Sequence, residues 1–218
     1  FWKYLMEKEL QKRILSSVVL IPVALFFIIN GSFLFNFFII ICFLITSYEW
    51  HKMSNKRPFY LPGLLFLIFS FYSAYMLRTD VNSSLSYFLI ILLICISTDM
   101  GGYIFGKIFK GPKLTKVSPK KTYSGVIGGY LFSIIFLYLF LNSPYYNYAP
   151  KMTSEFFILI LLISTISQIG DVTISYFKRL SKIKDTGKII PGHGGLMDRI
   201  DGMIFAFPFC YGIFLYFY

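Results

Sequence analysis

Residues 85–105 read LSYFLIILLICISTDMGGYIF, and this stretch decides the fold. From Tyr87 to Ile96 every side chain is apolar or aromatic. A hydrocarbon core about 30 Å thick is crossed by roughly 20 mainly apolar helical residues. The stretch has that length, which is far longer than a buried strand. Six further runs are comparable, some only just: Ile14–Asn30, Phe33–Trp50, Leu61–Leu77, Tyr123–Leu141, Phe156–Tyr176 and Ile200–Tyr218. The expected fold class is therefore all-α, a polytopic helical membrane protein with about seven transmembrane helices. Pro22 and Pro208 fall inside the first and last runs, where neighbouring helices can re-satisfy the freed carbonyls, so kinks are expected there.

Composition agrees. Of 218 residues, 56 % are hydrophobic, 21 % aromatic and only 14 % charged, against about 25 % charged in a soluble domain. This excludes a soluble enzyme, a disordered chain and a secreted disulfide scaffold. Cys42, Cys95 and Cys210 all lie in apolar runs, so neither disulfides nor a thiolate zinc site is indicated. The sequence opens on Phe1 rather than Met, so a trimmed start is expected; apolar runs recurring along the whole chain argue against a cleaved signal peptide.

Charge sets the orientation. The N-terminus and the segments between runs two and three, four and five, and six and seven carry 4, 3, 6 and 6 Lys or Arg, together 19 of the 21. The alternate segments hold only Arg78 and Lys151. This is the positive-inside bias, and it places the N-terminus and every basic loop in the cytoplasm. The net charge of +11 thus belongs to one membrane face, where it meets anionic headgroups. Nucleic acid is not an expected partner.

Three segments are too polar for ordinary membrane-end loops. In Ser97–Gly106, Asp99 lies near the cytoplasmic end of an apolar run, where a carboxylate costs at least about 2.5 kcal/mol and should face protein, water or a cation. Gly102 and Gly106 have the spacing of close helix packing. The segment Lys107–Ser124 carries six lysines and no acid, and within it Ser118-Pro119-Lys120-Lys121-Thr122 precedes a helix start. Hydroxyls, paired ammonium groups and helix N-terminal amides together suit a phosphate. The third segment, Gly170–Gly202, reads GDVTISYFKRLSKIKDTGKIIPGHGGLMDRIDG. Asp198 and Asp201 are three apart and share a helix face. Asp171 lies near the end of the preceding run, so three carboxylates can converge at the cytoplasmic boundary if the two helices are neighbours. Oxygen ligands with room for water and phosphate suit Mg²⁺. Lys178, Arg179, Lys184 and Lys188 supply charge for a polyphosphate, and Pro191-Gly192-His193-Gly194-Gly195 offers bare backbone that can approach one.

This last segment resembles the phosphatidate cytidylyltransferases, the CDP-diacylglycerol synthases. Their C-terminal signature is matched by Ser175, Lys178-Arg179, Lys184-Asp185, Pro191-Gly192, His193-Gly194-Gly195 and Asp198-Arg199-Ile200-Asp201. Asp99 to Gly106, Ser118 to Thr122 and Gly170-Asp171 resemble further family elements. The N-terminal half resembles the family in hydropathy alone, and the chain is short for it. Accordingly the chain is divided into N-terminal transmembrane helices, 1–84, and a catalytic transmembrane region, 85–218. Where the family commonly has glutamates, this chain has Ser124 and Ile174, so no role resting on those glutamates is carried over.

The resemblance implies transfer of the cytidylyl group of CTP to phosphatidate, giving CDP-diacylglycerol and pyrophosphate for phospholipid biosynthesis. It implies Asp171, Asp198, Asp201 and Lys184 as catalytic residues, with the three aspartates on Mg²⁺ and Asp99 as a further candidate ligand. Ser118, Lys120, Lys121, Thr122, Lys178, Arg179, His193 and Arg199 would hold substrate phosphate. A second, monovalent cation such as K⁺ and a homodimer also follow from it. The expected location is a bacterial inner membrane, with an organelle membrane as the alternative, and the basic-residue split puts the site on the cytoplasmic face. A phosphate nucleophile is already ionised at neutral pH, so His193 is assigned to binding or loop geometry rather than base catalysis. The nearest rival is a CTP-dependent polyprenol kinase, which would release CDP. An anion transporter would place its polar residues nearer mid-membrane, in paired repeats.

Overall fold

The computed structural model describes residues 2–79, 84–115, 118, 121–143 and 153–217. Lys120, one of the expected phosphate ligands, lies outside them. The described residues form seven helices: α1 (Trp2–Asn30), α2 (Ser32–Ser54), α3 (Tyr60–Thr79), α4 (Ser84–Phe109), α5 (Tyr123–Leu141), α6 (Ser154–Leu180) and α7 (Met197–Phe217). Among the described residues no strand is present, only isolated bridges at Lys113–Thr122 and Ile190–Gly194. An apolar solvent leaves helices as the economical way to pair every backbone group within one segment. Pro22 and Pro208 sit inside α1 and α7 without ending them.

Among the described residues, α2 to α7 are each long and apolar enough to cross a membrane, which makes six candidate spans rather than seven. The first run is described with its side chains only from Leu15 to Asn30, and that stretch alone is shorter than a span. Its two ends are nevertheless tied to opposite ends of neighbouring elements. Ser16 Oγ donates to the Pro191 carbonyl in the α6–α7 loop at 3.1 Å. At the other end Arg78, on the last turn of α3, donates from Nε to the Ile28 carbonyl at 2.9 Å. Arg78 is one of the two basic residues on the poorly charged side, and its guanidinium satisfies carbonyls that the end of α1 leaves open. The turn to α2 needs Gly31, with φ of 62°, where a Cβ would press on that guanidinium.

The chain divides into two compact units. One comprises Phe1–Leu85 and Phe177–Ile200, so the loop between α6 and α7 clusters with the first three helices. Here Trp50 sets its ring edge-on to Phe59 and Phe177, and its Nε1 donates to the Tyr60 carbonyl at 2.9 Å. The other unit comprises Ser86–Tyr176 and Asp201–Tyr218. Its α4 and α5 meet through glycines. A Cβ on Gly101 would overlap the Gly128 carbonyl, one on Gly125 would come 2.8 Å from the Gly102 carbonyl, and one on Gly106 would come 3.1 Å from Thr122 Oγ1. Small residues let helix backbones approach where no hydrophobic force draws them together, which is the role expected of Gly102 and Gly106.

Candidate functional site

The segment before α5 is a closed turn. Leu114 N donates to the Lys121 carbonyl, Tyr123 N to the Pro112 carbonyl, and Lys121 N to the Ser118 carbonyl. Thr122 is the N-cap of α5, its Oγ1 accepting from Gly125 N at 3.1 Å, so the helix starts where the hydroxyl-rich segment places it. The loop aims Lys121 at α6: its Nζ lies 2.5 Å from Asp171 Oδ2. Ser175, one turn along α6, adds a weak bond to Asp171 Oδ1 at 3.4 Å. In the same unit Asp201 is buried at 6 % exposure and accepts from Gly202 N at 2.9 Å. The α6 and α7 backbones touch here, since a Cβ on Gly170 would come 2.9 Å from the Asp201 carbonyl. Asp99 stands exposed on α4, beside buried Ser97 and Thr98.

In the other unit Asp198 holds the α6–α7 loop. Its Oδ1 receives Lys178 Nζ at 2.9 Å, and its Oδ2 receives the Thr186 and Gly195 amides at 2.8 and 3.0 Å. The Lys178–Asp198 pair is almost fully enclosed, with the two side chains 10 % and 5 % exposed. Charge-assisted bonds of this kind are the stronger ones. His193 sits at the turn. Its Nδ1 is 2.8 Å from Ser16 Oγ, and its carbonyl accepts from Arg199 Nη2 at 2.8 Å. That fits loop geometry. Arg179 bonds the Ile183 carbonyl, and Lys184 is exposed.

Motif reading misses Glu49. This carboxylate on α2 is 1 % exposed. It accepts from Leu196 N at 2.9 Å, from Met197 N at 2.8 Å and from Thr186 Oγ1 at 3.0 Å. The signal was available in principle: a lone acid inside an apolar run, in Tyr48-Glu49-Trp50, carries the same insertion cost as Asp99.

The donors are chemically right for Mg²⁺, being carboxylate oxygens without thiolate or imidazole partners. Among the described residues no group of three or more Asp, Glu, His or Cys is gathered to hold an ion by itself.

Residues 11–81 and 59–217 match the model of the Cytidylyltransferase family. A phosphatidate cytidylyltransferase of Rickettsia typhi is 36 % identical over 217 residues, which is 96 % of this chain and 94 % of that protein. One from Rickettsia prowazekii is 35 % identical over 218 residues, with the same coverage of 96 % and 94 %. One from Haemophilus influenzae is 38 % identical over 141 residues, 64 % of this chain and 48 % of that protein. The matched residues include both the α2 carboxylate and the loop it holds, and on that extent of similarity the chain belongs to the cytidylyltransferase family.

Proposed function

We propose that this chain is a membrane phosphatidate cytidylyltransferase, making CDP-diacylglycerol from CTP and phosphatidate. The observation that carries the reading is similarity along almost the whole chain to proteins of that name. In the reaction an oxygen of the phosphatidate phosphate bonds to the α-phosphorus of CTP. The bond from that phosphorus to the bridging oxygen breaks, and pyrophosphate leaves with the electron pair. Nucleophile and leaving group are both anions, so the protein's work is alignment and charge neutralisation.

Lys121, together with Ser118, Lys120 and Thr122, would hold one substrate phosphate; its ammonium would exchange Asp171 for a phosphate oxygen. Lys178, Arg179, Arg199 and His193 would serve the phosphates from the α6–α7 segment, with Lys184, exposed in the same loop, as a further catalytic cation. Asp171, Asp198 and Asp201 are the proposed Mg²⁺ ligands, with Asp99 as a further candidate. When bound, Mg²⁺ would stabilise charge on the pyrophosphate. A second site for K⁺ and a homodimer belong to the same proposal, on the resemblance alone.

The test is product analysis with purified protein, CTP, phosphatidate and Mg²⁺. CDP-diacylglycerol and pyrophosphate are expected in equal amounts. CDP as the nucleotide product would instead mark a kinase, and no turnover with either product would sink the enzyme reading.

The bacterial relatives support a bacterial inner membrane location, and the basic-residue split supports an orientation with these loops in the cytoplasm. In a background lacking the native cysteines, Lys113→Cys and Lys188→Cys should be blocked by an impermeant maleimide from the cytoplasmic side only, and Asn142→Cys from outside only. Labelling of Lys188→Cys and Asn142→Cys from one side would overturn this orientation.

A further inference from the structure

The structure assigns to Glu49 a positioning role: from α2 it fixes the loop that carries Asp198, and through that loop the proposed phosphate and metal ligands. The inference rests on the proposed cytidylyl transfer for its kinetic consequence but not for its structural one.

The geometry is a bracket of two carboxylates. Three consecutive amides at the start of α7 are each claimed by an acid: Gly195 by Asp198, and Leu196 and Met197 by Glu49. Thr186, on the far side of the loop, is held by both, its amide by Asp198 and its hydroxyl by Glu49. The loop cannot shift without stretching bonds to both. A helix N-terminus attracts negative charge, which stabilises Glu49 where burial alone would not.

Two glycines make room for it. A Cβ on Gly187 would come 2.6 Å from Glu49 Oε1, and one on Gly195 would come 2.6 Å from both carboxylate oxygens. Gly195, the last residue of the His-Gly-Gly element, is therefore crowded both by Thr186, whose Oγ1 a Cβ would overlap, and by the Glu49 carboxylate from α2. Glu49, which accepts three hydrogen bonds and has no place in the proposed chemistry, is thus the residue that shapes the signature loop. Glu49 touches no reacting atom in this scheme; it acts through Asp198.

Glu49→Gln keeps the volume but turns an NH₂ group toward at least one of its former donors. Glu49→Asp keeps the charge on a shorter arm. Amide hydrogen exchange read by mass spectrometry on full-length protein in detergent tests the placement without reference to activity. In Glu49→Gln the 186–197 segment should exchange about ten-fold faster, the effect of losing a bond to a charged group, while 123–141 is unchanged. With CTP and phosphatidate, kcat should fall at least about ten-fold with the KM for CTP within about three-fold, and Glu49→Asp should lie between. Unchanged exchange at 186–197 would overturn the assignment. So would equally faster exchange everywhere with activity lost in proportion, since that is plain destabilisation. If Glu49→Gln does not fold, the same readings on Glu49→Asp decide. A wild-type protein inactive on both substrates would sink the cytidylyl-transfer reading and leave the exchange result to judge Glu49.

Discussion

Asp201→Asn is expected to lower turnover roughly a thousand-fold, the upper end of what removing one charge-stabilising group costs, while the protein stays folded in detergent. The substitution keeps the side chain's size and leaves an amide oxygen for the Gly202 N–H that Asp201 now accepts at 2.9 Å. What it removes is a negative charge buried to 6 % exposure inside a membrane helix. Ionisable groups so placed are rare and mark sites of function, and binding Mg²⁺ with substrate is the function proposed for this one. Asp171→Asn should behave differently, because it also strips Lys121 of its partner at 2.5 Å. There the affinity for substrate phosphate should change along with turnover, since Lys121 no longer has to leave a carboxylate. Turnover, KM and melting temperature across a Mg²⁺ titration separate the two. Near-normal activity of Asp201→Asn at saturating Mg²⁺ would remove that residue from the centre.

The helices were legible because the constraint behind them is strong and local. An apolar run of about 20 residues must pair its own backbone groups, and each of the seven runs became a helix. The start of α5 at Tyr123 was legible for the same kind of reason, a capping hydroxyl at Thr122 directly ahead of an apolar run. The first run was harder. Its hydropathy marks it as a span, but the bonds that tie its two ends, from Ser16 to the Pro191 carbonyl and from Arg78 to the Ile28 carbonyl, join residues far apart along the chain.

The α6–α7 loop shows the limit most clearly. Its lysines and aspartates announce phosphate chemistry by type, yet which charge meets which is a tertiary matter. Lys178 stands 20 residues from Asp198 and is paired with it in the fold. Glu49 binds the same loop from 137 and 148 residues away. No periodicity or motif spacing connects such positions, and only the cost of a carboxylate in an apolar run hints that Glu49 has partners at all.

The buried Lys178–Asp198 pair gives the second large effect, and it separates a structural duty from a chemical one. Removing one member of an enclosed ion pair leaves the other charge uncompensated, at about 3–5 kcal/mol. Lys178→Met should therefore lower the melting temperature sharply, and Asp198→Asn should do likewise by turning an NH₂ group toward an ammonium group 2.9 Å from the present oxygen. The double variant Lys178→Met with Asp198→Asn carries neither charge, while its Asn oxygen can still accept from the Thr186 and Gly195 amides that Asp198 holds. Most of the lost stability should return, with a coupling between the two sites well above the 0.5 kcal/mol or so seen for independent positions. Activity should not return with it if Asp198 also serves the metal and substrate. Melting curves and CDP-diacylglycerol formation on the four proteins of the cycle decide this. A double variant that is both stable and active would confine Asp198 to holding the loop, and the metal would then have to be held by Asp171 and Asp201 without it.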